Sequence, residues 1–569
     1  RDAELASLRE AYGDTIAGRA VVVVVDGESG IGKTALCQTF LDEMRLERRA
    51  AVLQGRCYER ESLPFKAFDP LIDELTRYLR GLAPAQAAAL MPRDVFALAK
   101  LFPVLGRVAP IADAPARSGL APAELRRRAF DALGELFARI RDRRPLVAYI
   151  DDLQWMDADS AALLRHLLIS REPVPALLIV SHRTDDGSRS PLLQAVLAAA
   201  ASNRLLALRR VRLGPLPLER TEELASSWLG EAAAEPELAQ AIARESRGSP
   251  FFVLELARFV RGAPPQSHAE LSLAAVVSAQ LAALSSAART LLEALALAGR
   301  PLPFESMLAV AAASHQDVDD LRAAQFVRGN ESGGQRLIDC YHDRIRENVS
   351  AGLSVARTRL LYGALAQALE ADPKADPELV SRCLEGAGDA EAAARYASIA
   401  ADAALAAMAF EHAAACYRKA IALGTADGTS RLALLTQLGV ALENAGRGPE
   451  AADAYQQAAL LSAGDTRVDL RRRAAEQLLA TGHVAEGTEL LERVCEELGL
   501  SLPATTSAAF LSLLWTRSLL RLRSLDQSLP EPANSGAQAA VVRGARARSS
   551  PGATGQRLET ARSIVTGLI

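Results

Sequence analysis

The chain has 569 residues, half of them apolar and 24% charged, with a net charge of −4. That length exceeds one hydrophobic core and calls for roughly three or four domains, while the near-neutral balance gives no overall pull toward nucleic acid or anionic membrane. Six scattered cysteines without a C-x-x-C pair suggest neither a disulfide framework nor a zinc site, and no apolar run reaches the ~18 residues of a membrane span, so a cytoplasmic protein with reduced thiols is expected.

The first residues, "RDAELASL", lack a methionine, and the chain is expected to be a piece of something longer. Up to about residue 214, short apolar runs alternate with helical patterns, which predicts a parallel α/β sheet. The strands fall at "VVVVVD" (21–26), "AAVLQG" (50–55), "LVAYIDD" (146–152), "LLIVS" (177–181) and "LLALRRVRL" (205–213). A run of valines without alternation suits a strand buried on both faces. The insert 56–144 is helical, with Phe130, Leu133, Phe137 and Ile140 spaced to face the core. Residues 215–262 read as a helical lid, followed by a linker, "GAPPQS". Three helical patterns and two short extended stretches suit a winged-helix-like module over 270–350.

From 355 to 520 the segments resemble one another. "AGRGPEAADAYQQAALL" (445–461) aligns with "TGHVAEGTELLERVCEEL" (481–498) and with "AFEHAAACYRKAIAL" (409–423) at shifts of about 36 and 38. Such a period predicts tetratricopeptide-like helix pairs stacked as a solenoid; an irregular bundle of alanine-rich helices is the alternative. Residues 526–569 lose all periodicity and are expected to be disordered. The fold class is therefore multidomain, α/β followed by α: a parallel-sheet core (1–214), a lid, a winged-helix-like module and helical repeats.

The octet Gly27-Glu28-Ser29-Gly30-Ile31-Gly32-Lys33-Thr34 fits G-x-x-x-x-G-K-[ST]. Its glycines let successive N–H groups point inward as an anion nest, and the helix that follows adds its positive end. Lys33 is expected to reach the β- and γ-phosphates of ATP, and the Thr34 hydroxyl to ligate Mg²⁺. Asp151 would hold Mg²⁺ and Asp152 would orient or deprotonate the attacking water. The paired acids could instead merely cap the next helix, as could Asp157 or Asp159. Trp155 is expected in the core. The tip of the next strand brings Ser181, His182 and Arg183 near the phosphates, where Arg183 would sense or stabilise γ-phosphate charge. "HRTD" lacks the companion motifs of a kinase catalytic loop, so no kinase domain lies within the chain.

Together, the P-loop, "YIDDLQWMDADS", "SHR" and "SRGSPFFVLEL" (246–256) resemble the STAND class of signal-transduction ATPases, an origin-recognition-like AAA branch. The resemblance, over roughly residues 1–520, implies a nucleotide module coupled to a winged helix and a repeat sensor. It also implies that Gly248 and Pro250, in the class's G-x-P motif, pack near the nucleotide base, and that nucleotide drives self-association. "GRCYERESLPFKAFDPLIDEL" (55–75) and "CYHDRIRENV" (340–349) are similar to the ATPase regions that follow the catalytic domain in large bacterial serine/threonine protein kinases. The expected function is an ATP-hydrolysing switch that meets a protein partner or effector through its repeats. The alternatives are a scaffold with slow or vestigial hydrolysis, and a DNA-dependent AAA ATPase. The last is disfavoured because 270–350 carries no basic, aromatic-interleaved face. "RRR" (126–128) suits a solvated helix face, or else an arginine finger acting in trans.

Overall fold

Five parallel strands carry the first sheet of the computed structural model, which describes residues 1–59, 64–115, 119–170, 173–184, 190–230, 236–262, 281, 284–332, 335–424 and 428–498. They are β1 (Ala20–Gly27), β2 (Ala51–Arg56), β3 (Leu146–Asp151), β4 (Leu177–Arg183) and β5 (Leu206–Leu213), in the order β2-β3-β4-β1-β5. Each expected strand is present. β1 is buried along its whole length, which explains why its valines need no polar alternation. Val21, Val23 and Val25 pack with Leu8 of helix α1 (Asp2–Ile16) and with Phe40 and Leu41 of α2 (Lys33–Leu46). The opposite face of the sheet meets Leu71 of α3 (Asp69–Arg80), Phe137 of α4 (Pro122–Arg143) and Leu164 of α5 (Ala158–Ile169). Phe130, Leu133, Phe137 and Ile140 are buried, as their spacing implied.

The "RRR" run corrects one expectation. Arg127 is exposed and pairs with Glu124 and Asp131, but Arg126 is largely withdrawn from solvent: its side chain is 12% exposed and meets Asp159 at 3.0 Å. After α6 (Pro191–Ser202), three helices, α7 (Leu218–Leu229), α8 (Pro236–Glu245) and α9 (Pro250–Gly262), close around a small core of their own that includes Leu229, Ile242 and Leu256.

The winged-helix-like module comprises α10 (Ser286–Ala298), β6 (Leu302–Pro303), α11 (Phe304–Ala311), α12 (His315–Ala323) and a hairpin of β7 (Val327–Ser332) and β8 (Gln335–Cys340), followed by α13 (Asp343–Ala351). Its antiparallel sheet runs β6-β8-β7. Next come α14 (Val355–Glu370), α15 (Pro377–Ala387) and the pair α16 (Ala390–Ala406) and α17 (Phe410–Leu423).

The chain divides into two units, Arg1–Thr425 and Ala426–Ile569. In the second, α18 (Gly428–Asn444) pairs with α19 (Gly448–Leu460), and α20 (Gly464–Ala480) with α21 (Val484–Glu497). Of the expected linker 262–267, Gly262 ends α9 and the rest lies outside the described residues, as does the expected disordered tail 526–569. All six cysteines are free and buried. No described helix is long and apolar enough to cross a membrane.

Candidate nucleotide site

Sheet order decides which side chains meet. β4 lies between the P-loop strand β1 and the acid strand β3, so the tips of three adjacent strands converge. In register, Gly27 of β1 faces Arg183 of β4, while Ile150 of β3 faces Val180, which sets Asp151 beside Ser181. Ligands of open parallel sheets bind outside these carboxyl ends.

The octet turns from β1 into α2, with Gly30 and Gly32 at φ 81° and 100°. Only residues without a Cβ adopt that region freely. α2 begins at Lys33, so its unpaired N–H groups and positive end point back at the loop. The Lys33 ammonium is buried and donates to the carbonyls of Gly27 (2.9 Å) and Glu28 (2.8 Å). Ser29 and Ile31 complete the turn, and Ile31 packs into the core beneath it.

Asp151 is held from two sides. Its Oδ1 accepts from the Tyr149 hydroxyl (2.7 Å) and the Ser181 hydroxyl (2.5 Å), whereas Oδ2 accepts from Thr34 Oγ1 at 2.9 Å. Two interior donors thus fix the carboxylate so that its second oxygen and the Thr34 hydroxyl sit side by side, the hard-oxygen set that Mg²⁺ prefers. Burial, and then the charge of Asp151, hold the Tyr149 phenol well above its ordinary pKa, so it stays a donor. Burial likewise pushes the Cys37 thiol behind the loop up to about 12, an inert environment.

Asp152 sits in the left-handed region at φ 56°, its backbone N–H donating to Ser181 Oγ at 3.0 Å. Its carboxylate takes Gln154 on one oxygen (3.0 Å) and Arg56 on the other (3.0 Å). Neither paired acid caps the following helix: Asp157 caps α5 by accepting from Ser160, and Asp159 points elsewhere. Trp155 is half-buried. His182 Nδ1 lies 3.0 Å from the Arg183 carbonyl.

Arg183, 7% exposed, reaches across to Glu347 of α13 at 2.9 Å. Its neighbour Arg346 pairs with Glu59, just past β2. The lid meets the loop as well. Gly248 adopts φ 77°, and a Cβ there would lie 2.6 Å from the Leu216 carbonyl, so only glycine fits. This turn sets Ser249 Oγ on the Gly30 carbonyl (3.4 Å), Pro250 near Gly32, and the Phe251 N–H on the same carbonyl (3.3 Å). Phe251 in turn stacks on His342, ring centroids 3.9 Å apart and 20° from parallel. A cavity of about 500 Å³ opens beside the loop, walled by Gly27, Glu28, Arg183, Arg210 and Arg212. That volume suits a small-molecule ligand, and guanidinium groups suit phosphate oxygens.

The family model described as AAA ATPase domain matches residues 1–180. Those residues are similar to an AAA ATPase domain. An uncharacterized protein of Rhizobium meliloti (strain 1021) is 27% identical over 271 residues, 46% of this chain. The match spans a quarter of that relative's length. Among solved structures, a signal transduction ATPase with numerous domains and a tetratricopeptide repeat sensor, from Pyrococcus horikoshii, is 13% identical. It covers 87% of this chain and 82% of its own, with a TM-score of 0.38. Cdc6p from Pyrobaculum aerophilum is 15% identical, covering 64% of this chain and 94% of its own at a TM-score of 0.29.

The structure brings together the P-loop, Asp151, Asp152 and Arg183, with Gly248 and Pro250 against the loop. Sequence reasoning gave no role to Tyr149, Arg56, Gln154, Phe251, His342 or Glu347. Arg56 and Glu347 lie within the two segments singled out for resemblance, yet spacing alone could not say which residues they would face.

Proposed function

We propose that this chain is an ATP-binding and ATP-hydrolysing signal-transduction switch, the regulatory region of a bacterial serine/threonine protein kinase or a similar regulator. The observation that carries it is the Arg183–Glu347 ion pair, which ties the strand tip beside the P-loop to the winged-helix-like module. Any anion that draws Arg183 toward the P-loop competes with Glu347, so nucleotide state and module position bias one another. Coupling of this kind is typically worth 1–3 kcal/mol.

The residues present fit ATP and Mg²⁺. N–H groups of Gly27 to Thr34 line the loop, Lys33 supplies a buried cation, and Thr34 Oγ1 with Asp151 Oδ2 offers paired oxygens for the metal, which would neutralise phosphate charge when bound. Tyr149 and Ser181 keep Asp151 aimed. Asp152, held by Gln154 and Arg56, orients the attacking water and accepts its proton. Arg183 stabilises charge at the γ-phosphate once released from Glu347. Gly248 and Pro250 seat the lid on the loop, while the repeats (355–520) present a surface to a protein partner. Nucleotide-dependent self-association follows the same reading.

Lys33→Ala is expected to abolish tight ATP binding, while Asp152→Asn keeps binding and loses hydrolysis. Glu347→Gln, which removes the negative charge paired with Arg183, should change nucleotide affinity by about 5- to 100-fold. Equilibrium nucleotide binding and steady-state turnover on the same preparations check all three. Normal turnover in Asp152→Asn would remove its assigned role, and unchanged affinity in Glu347→Gln would break the coupling. A chain that binds ATP without measurable turnover, with or without a partner, would instead be a scaffold.

A further inference from the structure

Away from the nucleotide site, three lone-pair donors of different chemistry converge. His412 and Cys416 lie one turn apart on α17, and Glu378 comes from the first turn of α15. Glu378 Oε2 is 2.8 Å from His412 Nε2, Cys416 Sγ is 3.7 Å from the same nitrogen, and all three atoms lie within 4.8 Å of one another. One imidazole nitrogen carries one proton and can point it at only one partner. Glu378 Oε2 is indeed buried with no aligned hydrogen bond, despite its short distance to the ring.

We propose that Glu378, His412 and Cys416 bind a divalent transition-metal ion of the Zn²⁺ class. Zinc takes sulfur at about 2.3 Å and nitrogen or oxygen at about 2.0–2.2 Å, so tetrahedral ligands stand roughly 3.4 Å apart for N and O and 3.6 Å for N and S. The sulfur already stands at that spacing, and the carboxylate needs to retreat by about half an ångström. A thiolate, an imidazole and a carboxylate form a borderline-soft set that favours Zn²⁺ over Mg²⁺ or Ca²⁺. Two cations also lie near Glu378 and favour its carboxylate form, Lys419, which pairs with Glu385, and Arg382, which donates to the Ala298 carbonyl. Metal binding replaces the Nε2 and thiol protons with the ion and releases both.

The repeats supply an internal contrast. At the positions equivalent to His412 and Cys416, the next pair has Glu450 and Ala454, and the last has Glu486 and Leu490. The histidine and the cysteine therefore occur together in the first pair alone among these three, and are not part of the repeat pattern. Three protein ligands leave a fourth position, and both Glu378 and His412 line a cavity of about 560 Å³ next to the winged-helix-like sheet, with Arg300, Lys374 and Asp376 on its walls. Water or a small ligand from that cavity would complete the coordination. The cysteine-pair spacing rule passes over such a site because its ligands are a histidine and a cysteine four apart and a distant glutamate.

The test is Co²⁺ titration of the chelator-stripped full chain, followed by its optical spectrum. The expected result is one Co²⁺ per chain, with intense tetrahedral visible bands and a near-ultraviolet thiolate-to-cobalt band, all displaced by Zn²⁺. Cys416→Ser should remove the thiolate band, and Glu378→Gln, which preserves volume, should weaken affinity at least about tenfold. Melting curves taken without metal show that each variant is folded, and where one is not, the other decides. Absence of the thiolate band in the parent, its survival in Cys416→Ser, or unchanged affinity in Glu378→Gln overturns the site. Mg²⁺-dependent nucleotide binding is read separately, and its failure leaves this result standing.

Discussion

The helix pair α16–α17 and the pair α18–α19 share a local design and differ in what they attach to. Each turns through three residues whose middle member is left-handed, Met408 at φ 59° in one and Gly446 at φ 78° in the other. Each buries small residues where helices approach, Ala413 and Ala420 against Ala451 and Ala458. In both, a buried tyrosine donates to an acid on the partner helix, Tyr417 to Asp402 and Tyr455 to Glu443. Yet the second pair begins its inner helix with Gly448 where the first has Phe410. Phe410 is fully buried under Arg126, 4.8 Å from its ring centroid. Asp159 of α5 also accepts the backbone N–H groups of Glu411 (3.3 Å) and His412 (2.9 Å). The shared residues specify the pair, and the residues that differ specify its dock. Since α5 starts a few residues past Asp152, that dock lies one short segment from the nucleotide site.

The comparison breaks most sharply at Asp159. Asp159→Ala leaves Arg126 buried without its carboxylate and uncaps α17, and removing one partner of a buried pair costs about 3–5 kcal/mol. Denaturant unfolding at neutral pH checks it. Burial pushes Asp159 up to about 6 from its ordinary 3.8, with Arg126 and the two amides only partly offsetting it. The folded state then holds that proton more tightly than the unfolded chain. This contribution is fully present below pH 3.8 and is lost as pH rises through about 6. Asp159→Asn keeps an acceptor for the amides and should abolish that slope; an unchanged slope would assign it to another group.

Gly439 tests the second pair. A Cβ there would lie 2.4 Å from the Tyr455 ring, and that ring is fully buried and tied to Glu443. The first pair has Ala401 at the same position. Gly439→Ala should therefore cost up to about 2 kcal/mol, overpacking of about 1–3 set against a helix-propensity gain of about 1. Ala401→Gly should cost about 1 kcal/mol from propensity alone. If Gly439→Ala stabilises instead, the two pairs share one packing geometry and the contrast disappears.

What the sequence disclosed follows the range of the interactions. The strands were legible because a buried parallel strand writes its burial into consecutive residues, and the P-loop because its geometry needs glycines at fixed offsets. The helix pairs were legible from shifts of about 36 and 38, which the starts of α17, α19 and α21 reproduce. Contacts between distant segments left no such trace: Arg56 to Asp152 spans 96 residues, Arg183 to Glu347 spans 164, and Asp159 to the α17 amides spans more than 250. Arg126 shows the cost of this blindness. An arginine run with acids three and four residues away reads as a solvated face, and only the fold reveals that its first member lies between Asp159 and Phe410.

The smallest expected difference lies in the shared tyrosines. Tyr417→Phe and Tyr455→Phe each delete one hydroxyl that donates to a carboxylate, at 2.5 Å and 2.6 Å respectively, while keeping the buried ring. A net hydrogen bond contributes about 0.5–1.5 kcal/mol, so each change is modest. The pairs should nonetheless differ, because Glu443 also binds Arg473 at 3.1 Å and that guanidinium lies over the Tyr455 ring, 4.5 Å from its centroid. When the Tyr455 hydroxyl goes, Glu443 keeps a cation and the cation keeps its aromatic face. Tyr417→Phe should therefore approach the upper end of that range and Tyr455→Phe the lower. The check is a pair of denaturant titrations, with Arg473→Met added to the second. If the arginine cushions the loss, Tyr455→Phe becomes more costly in the Arg473→Met background, by up to about 1 kcal/mol. Strict additivity would show that the acid–tyrosine contact acts alone in both pairs, and that their likeness extends to energy as well as geometry.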